Sequence, residues 1–242
     1  MKYLIATLAL LCSVLPYKAY NGPRWETEKS TTFFGQHAQY LYGLINEPSL
    51  GFHIFQTALK GYYQMLGEGK LKNREVLTIA DFSQSSNSKR LYVIDMIANK
   101  LIRKSWVAHG RGSGEEYATQ FSNGVGSNMS SLGFYIANET YHGNHGLSIR
   151  LDGLESTNSN ARNRAVVIHS ADYVSQSFID VNNRLGRSFG CPALPAEGYS
   201  QLVDLIKGGS CLFIYYPDAA YLKQSKYANA TQFIDQYIAR SL

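Results

Sequence analysis

Two short motifs between residues 166 and 193 decide how this sequence is interpreted. The first is Val166-Val167-Ile168-His169-Ser170, and the second is Gly186-Arg187-Ser188-Phe189-Gly190-Cys191-Pro192-Ala193. The apolar run before His169 predicts a buried strand that delivers a histidine to its end. The glycine-flanked second motif predicts a turn that presents a thiol. We therefore take Cys191 and His169 as a candidate nucleophile and base.

The chemistry of this pair follows from the ionisation of the thiol. An ordinary cysteine has a pKa of about 8.5, and a neighbouring imidazole lowers it to between about 3.5 and 7.5. We expect His169 to act on Cys191 in this way. Gly190 permits a close backbone approach, and Pro192 biases Cys191 towards an extended conformation. Because Pro192 has no N–H, a local oxyanion hole would use the amides of Cys191, Gly190 or Phe189.

Patterning on either side of the motifs predicts an α+β fold that is rich in strands. Apolar residues recur at helical spacing over 33–45 and 52–66, and a third helix is predicted between Cys191 and Cys211. Short apolar runs broken by Gly, Asn and Ser predict strands and turns from residue 75 onward. A hairpin turn is predicted at 97–100 and another beginning at Asn138. The predicted strands are 76–82, 89–96, 101–109, 133–137, 146–152, 165–169 and 211–216.

Composition supports a folded globular protein. The chain has 242 residues, of which 45% are hydrophobic and 17% charged, with 18 Tyr and 21 Gly. These values exclude collagen-like, coiled-coil and disordered classes. The formal net charge is +5, and no Lys/Arg run or aromatic ladder suggests nucleic acid as a partner.

The amino terminus has the features of a secretory signal peptide over residues 1–19. An uncharged apolar run follows Lys2 and ends near Ala19, and it is too short for a transmembrane helix. Cleavage would remove Lys2 and Lys18, lowering the net charge from +5 to +3. We expect a periplasmic or secreted protein with no stable membrane anchor. The predicted organisation is a helical segment over 20–72 followed by a catalytic domain over 73–242.

The strand-His-Ser motif followed by Ser-x-Gly-Cys resembles the catalytic signature of the murein L,D-transpeptidase catalytic-domain family. Further blocks agree in the same order, so that the resemblance covers roughly residues 50–217. These blocks are Leu77-Thr78-Ile79-Ala80-Asp81-Phe82-Ser83, Val107-Ala108-His109-Gly110-Arg111-Gly112-Ser113-Gly114, Phe121-Ser122-Asn123, Ser130-Ser131-Leu132-Gly133-Phe134-Tyr135 and the run 145–155 from His145 to Glu155.

The resemblance implies a sandwich-like domain of mixed β-sheets with short helices, and a cysteine enzyme that acts on peptidoglycan stem peptides without a cofactor. Cys191 would attack the carbonyl of an L-centre and expel the terminal D-residue as a thioester forms. An amine from another stem would then give a cross-link. His169 would be the base, the Gly190 and Cys191 amides would hold the oxyanion, and Ser170 and Ser188 would support the site.

Substrate recognition is the point at which this chain departs from the family. Most members carry a second histidine where this chain has Phe189, and an arginine soon after the cysteine where it has Pro192-Ala193-Leu194. Substrate carboxylates would then need other cationic partners. The candidates for the substrate-binding region are Arg187, Arg184, Arg150, His145 and Asn123, whereas Arg162 and Arg164 are expected to solvate a loop.

Three alternatives stay open from the sequence. The first is an L,D-carboxypeptidase-type hydrolase of the same stems, in which water replaces the acceptor amine. The second is a non-catalytic wall-binding module, because removal of Cys12 leaves Cys191 and Cys211 as a potential disulfide. The third is a zinc site built from His142, His145, His169 and Cys191.

Overall fold

The computed structural model describes residues 33–231, 233 and 234. The predicted signal peptide over residues 1–19 lies outside these residues. Within them, no helix is both long and apolar enough to cross a membrane.

The described residues form two helices followed by a strand-rich region with three further short helices. The helices of the described residues are α1 (Phe33–Ile45), α2 (Phe52–Gly67), α3 (Gln176–Asn182), α4 (Tyr199–Ile206) and α5 (Ala219–Gln224), with a 3-10 turn at Arg111–Ser113. The strands are β1 (Val76–Asp81), β2 (Leu91–Asp95), β3 (Lys100–Ser105), β4 (Gly133–Gly143), β5 (Gly146–Gly153), β6 (Val167–Ser170), β7 (Ala193–Leu194) and β8 (Ser210–Tyr215).

The strands form one mixed sheet in the order β3-β2-β1-β8-β4-β5-β6-β7, which closes nearly into a sandwich. The β1–β8 and β6–β7 pairs are parallel and the other pairs are antiparallel. Strand β8 lies in the middle and is buried along its whole length. The predicted fold class is therefore confirmed.

Helices α1 and α2 share one hydrophobic core with the sheet. The helical spacing predicted for 33–45 and 52–66 is confirmed, because Leu41, Phe55 and Leu59 all point into this core. Gly61 makes the contact with the sheet close, since a Cβ at this position would lie 2.1 Å from the Phe134 ring in β4. The predicted division of the chain at residue 72 stays a prediction.

The turn predicted at Asn138 is wrong. Strand β4 continues to Gly143, and Asn144 and His145 form the turn before β5. Asn138 instead lies where the β4–β5 register shifts, and its side chain donates to Asp152 at 2.7 Å. A bulge absorbs the extra residue, so the polar side chain is satisfied without a turn.

The third predicted strand ends early, and this brings a loop to the site. Strand β3 stops at Ser105 instead of His109, and the following residues leave the sheet. Ala108 then forms a β-bridge with Ala193 in β7, and Gly110 forms one with Ser188. The segment 107–111 therefore runs along the cysteine motif instead of extending a hairpin.

Candidate active site

The turn that carries Cys191 is held by the side chain of Ser188. Ser188 Oγ accepts a hydrogen bond from the Gly190 N–H at 3.0 Å and donates to the Cys191 carbonyl at 2.6 Å. Its backbone is fixed on the other side, where the Ser188 N–H donates to His109 and the Arg111 N–H donates to the Ser188 carbonyl. The turn therefore has a defined geometry before any ligand binds.

Gly190 is required at its position for two reasons. Its φ of 124° lies in the region that favours glycine. A Cβ there would also lie 2.7 Å from the Met129 carbonyl oxygen. Ser130 Oγ donates to the Gly190 carbonyl at 3.2 Å, so the loop before β4 packs directly against the turn.

The Cys191 thiol is half-buried and contacts the backbone that leads into β6. The Val167 N–H donates to Sγ at 3.4 Å, and the thiol points to the Ala165 carbonyl at 3.8 Å. Burial raises the pKa of Cys191 above its ordinary value, while the Val167 N–H and the charge of Arg164 act to lower it. His169 is not among the groups that shift this pKa, and the expectation that it acts on the Cys191 thiol stays a prediction.

His169 lies buried in β6 with one ring nitrogen fixed. Its Nδ1 is 2.9 Å from the Ser170 carbonyl, and because a carbonyl only accepts, Nδ1 carries the proton. In the neutral ring, Nε2 is then the atom with a free lone pair. Burial lowers the pKa of His169, with a smaller lowering effect from His145, so the ring is neutral near pH 7.

His145 covers one face of this imidazole. The two rings are stacked, with centroids 4.3 Å apart and planes 22° apart. His145 is exposed at the β4–β5 turn, next to the start of β5, whose Ser148 pairs with His169. The structure thus places His145 against the candidate base.

The thiol and the histidine are neighbours on adjoining strands. His169 pairs with Ala193 in the parallel β6–β7 ladder, two residues after Cys191, and the sulfur contacts Val167, two residues before His169. Among the described residues, however, no hydrogen bond joins Sγ to the imidazole. The two groups are therefore neighbours on adjoining strands without a direct hydrogen bond between them.

The backbone N–H groups of the turn are the candidate oxyanion donors. The Gly190 N–H donates to Ser188 Oγ in this structure, and its role in holding the oxyanion stays a prediction. Within residues 33–231, the Cys191 and Phe189 N–H groups have no hydrogen-bond partner. These two amides are the donors that remain available in the turn.

The other predicted substrate residues are bound within the protein. Arg187 donates to Glu115 at 2.6 Å and to the Gly114 carbonyl at 2.9 Å, and Arg184 also pairs with Glu115, at 2.9 Å. Arg150 lies over the Tyr141 ring and pairs with Glu139 at 3.4 Å.

The neutral candidates are also bound within the protein. Asn123 donates to the Ser156 carbonyl and Ser159 Oγ, and it accepts from the Asn160 N–H. Ser170 contributes its backbone carbonyl to His169, not its hydroxyl.

Arg164 is the charged residue that sequence reasoning missed. It donates to the Ser122 and Met129 carbonyls at 2.8 and 2.6 Å and to Ser131 Oγ at 2.5 Å, which ties the loop before β4 to the turn that leads into β6. The expectation that it solvates a loop is wrong, whereas Arg162 is exposed and ion-paired with Glu139 and Asp152. Only its place shortly before Val167 could have drawn attention to it.

A buried Arg90–His109 pair supports the turn from behind. Arg90 is fully buried and donates to the Val107 carbonyl and, at 2.8 Å, to His109 Nδ1. His109 Nε2 lies 3.4 Å from the Gly114 carbonyl. Burial, with a further effect of Arg90, lowers the pKa of His109 to about 3, so this ring stays neutral and structural.

The two cysteines are not joined. Cys191 and Cys211 are both free, and Cys211 is buried in β8 with Sγ 3.5 Å from Met65 Sδ. The disulfide alternative is therefore wrong. Among the described residues, no group of three or more His, Cys, Asp and Glu side chains is placed to hold a metal ion.

Comparison with known proteins shows which family the sequence of this chain matches. The profile of a family described as the L,D-transpeptidase catalytic domain matches residues 46–215. Among solved structures, an L,D-transpeptidase from Mycobacterium smegmatis is 14% identical, with a TM-score of 0.36 over 59% of each chain. An L,D-transpeptidase from Xylanimonas cellulosilytica is 12% identical, with a TM-score of 0.34 over 80% of this chain and 94% of that chain. L,D-transpeptidase 1 from Mycobacterium tuberculosis is 14% identical, with a TM-score of 0.33 over 57% of this chain and 60% of that one. No curated protein sequence matches.

Proposed function

Because this chain belongs to the L,D-transpeptidase catalytic-domain family, we propose that it is a cysteine acyltransferase acting on peptidoglycan stem peptides. The observation that carries the proposal is the free, half-buried Cys191 thiol, held by the backbone of the strand that contains His169. Cys191 and His169 both lie within the matched range, residues 46–215.

The first half-reaction uses the groups on these two strands. His169 Nε2 removes the thiol proton as Sγ attacks the carbonyl carbon of an L-centre in the donor stem. The carbonyl oxygen becomes an oxyanion, which the free Cys191 and Phe189 N–H groups stabilise. When the intermediate collapses, the bond to the terminal D-residue breaks, its amine takes the proton from His169, and a thioester remains on Cys191.

The second half-reaction releases the enzyme. An amine from another stem attacks the thioester, its proton passes through His169 to the leaving sulfur, and an amide cross-link forms. Water in place of the amine gives a tripeptide and free thiol, which is carboxypeptidase activity. Burial raises the pKa of the Cys191 thiol and lowers that of the His169 imidazole, which supports transfer of the proton as the sulfur attacks rather than beforehand.

Mass analysis of defined muropeptides tests this proposal. Full-length protein is incubated with tetrapeptide muropeptides; cross-linked dimers indicate transpeptidation and tripeptide monomers indicate hydrolysis. A carbapenem should leave a covalent adduct on Cys191. Cys191→Ala should abolish both product and adduct, whereas Cys211→Ala, which removes the other free thiol of the described residues, should retain them. Unchanged muropeptides together with no adduct would exclude both activities.

We further propose that the protein is exported, on the basis of the apolar run after Lys2. Cross-linked peptidoglycan lies outside the cytoplasmic membrane, so the proposed activity requires export. Cell fractionation followed by amino-terminal sequencing tests this: cleavage near Ala19 is expected, and an intact amino terminus in the cytoplasm would contradict it.

A further inference from the structure

Arg111 is an exposed cation at the edge of the turn that carries Cys191. Among the described residues, no hydrogen bond or ion pair reaches its guanidinium, and the group lies over the Phe189 ring, 4.4 Å from the centroid. Phe189 is itself 67% exposed and precedes Cys191 by two residues. Neither side chain is used to pack the core.

The other arginines around the turn are already engaged. Arg184 and Arg187 share Glu115, and Arg150 pairs with Glu139. Arg164 donates to the carbonyls and hydroxyls of the loop before β4. Arg111 is thus the cation beside the turn whose N–H groups have no partner in the part of the chain described.

The backbone under Arg111 is rigid. Its N–H donates to the Ser188 carbonyl at 2.8 Å, while the neighbouring Gly110 and Gly112 N–H groups donate to Ser130 Oγ at 3.0 Å and to the Asn128 carbonyl at 2.9 Å. Arg111 therefore keeps a fixed position relative to the Cys191 turn.

The cation–π contact with Phe189 uses no hydrogen bond of the Arg111 guanidinium. Guanidinium N–H groups lie in the plane of the group, whereas an aromatic ring occupies its face. Contact with Phe189 thus fixes the side chain without consuming a donor. A planar group that presents two N–H bonds side by side matches a carboxylate.

We propose that Arg111, held against Phe189, binds the terminal carboxylate of the donor stem peptide. This inference rests on the proposed function, and it supplies a cation for a chain that has Pro192-Ala193-Leu194 after its nucleophile. Binding this carboxylate orients the scissile carbonyl towards Cys191, so Arg111 determines substrate specificity.

Paired substrates and paired reagents test the proposal. Arg111→Ala should lower kcat/KM by about 10- to 100-fold for a tetrapeptide with a free terminal carboxylate, but change it little for the amidated tetrapeptide. Arg111→Lys keeps the charge but loses the planar guanidinium. For the tetrapeptide with a free carboxylate, its kcat/KM should lie between those of wild type and Arg111→Ala. Arg74→Ala, which removes an exposed arginine ahead of β1, controls for the loss of one charge.

Alkylation of Cys191 gives a readout that needs no peptide turnover. Peptide-resolved mass spectrometry measures the rate with iodoacetate, which carries a carboxylate, relative to neutral iodoacetamide. Arg111→Ala should lower this ratio by about 2- to 5-fold, whereas Arg111→Lys and Arg74→Ala should retain it. If the wild-type protein turns over no stem peptide, the proposed function fails while this ratio still decides the role of Arg111.

Two results would overturn the inference. One is an unchanged iodoacetate to iodoacetamide ratio in Arg111→Ala. The other is an equal loss of kcat/KM for the free and amidated tetrapeptides, which would indicate that Arg111 only supports the turn. The Phe189→Leu variant keeps an apolar side chain but removes the ring, and it should show the same substrate selectivity loss to a smaller extent.

Discussion

At Cys191, burial and a nearby charge act in opposite directions on one thiol. Burial is the stronger influence and keeps the pKa raised, while Arg164 and the Val167 N–H favour the thiolate. Arg164 also holds the loop that packs on Gly190, because it donates to the Ser122 and Met129 carbonyls of that loop. The guanidinium lies close to the turn itself, since a Cβ on Gly190 would be 3.1 Å from Arg164 Nη2. The same guanidinium therefore contributes charge and position to the nucleophile.

Removal of this charge should raise the Cys191 pKa further. We expect the pH profile of Cys191 alkylation in Arg164→Gln to shift to higher pH, with a slower rate near neutrality, because less thiolate is present. Iodoacetamide labelling from pH 6 to 10, resolved by peptide, measures this shift. Arg162→Gln is the matched control, since it removes an equal charge from the same loop but one paired with Glu139 and Asp152. An identical shift in both variants would contradict a specific effect of Arg164.

At the scale of elements, the helices and strands that could be predicted are those with a recognisable pattern in their own sequence. Helices α1 and α2 were predictable because their buried residues recur at helical spacing. Strands β1 and β8 were predictable because each is a short, continuous apolar run that is buried throughout. Helix α3 has no buried residue and β7 has two residues, so neither produces a pattern.

The residues of the candidate site also differ in how far the sequence predicts them. Cys191 and His169 stand in recognisable motifs, and so they were predictable as a pair. The roles of Arg164 and Arg90 depend on carbonyls far away in the sequence, such as Met129 and Val107, and no local pattern contains that information. The free edge of Arg111 likewise became visible only once the partners of the other arginines were known.

Two helical glycines should respond in opposite ways to the same change. Gly61→Ala should destabilise the protein by at least about 1–3 kcal/mol, because the new methyl group overlaps the Phe134 ring between α2 and β4. Gly43→Ala in α1 meets nothing within 4 Å and should stabilise by about 0.5–1 kcal/mol. Urea denaturation of both variants measures the difference. A stabilising Gly61→Ala would show that α2 does not lie this close to the sheet.

At the scale of the whole molecule, the buried carboxylate of Glu155 links the sheet to helix α5. It accepts from the Phe134 N–H in β4 at 2.8 Å, from the Tyr221 hydroxyl in α5 at 3.0 Å and from Ser225. Burial raises the pKa of Glu155 despite these donors. The folded protein therefore holds the Glu155 proton more tightly than the unfolded chain.

The raised pKa of Glu155 makes the stability of the folded protein depend on pH. Because the folded-state pKa is raised, the stabilisation is complete below the ordinary pKa of 4.5 and is lost as pH rises through the folded value. Glu155→Gln resembles the protonated acid, so its stability relative to wild type should increase from pH 4.5 to pH 8. Urea midpoints at the two pH values measure this. Glu155→Ala, which leaves the buried Phe134 N–H without a partner, should be less stable at both, by about 1–3 kcal/mol. A constant difference between wild type and Glu155→Gln would show that Glu155 does not titrate in this range.

The central position of β8 has a consequence for biosynthesis. Strands β3, β2 and β1 form one subassembly and β4 to β7 another, and β8 joins them by pairing with β1 and β4. In a nascent chain that has emerged only to residue 200, the edges of β1 and β4 that pair with β8 in the folded protein are therefore still unpaired. At ordinary synthesis rates this interval between β1 and β8 lasts on the order of 10 s. Products truncated before residue 210 would keep both edges exposed and should be substrates for chaperones and proteases rather than shortened enzymes.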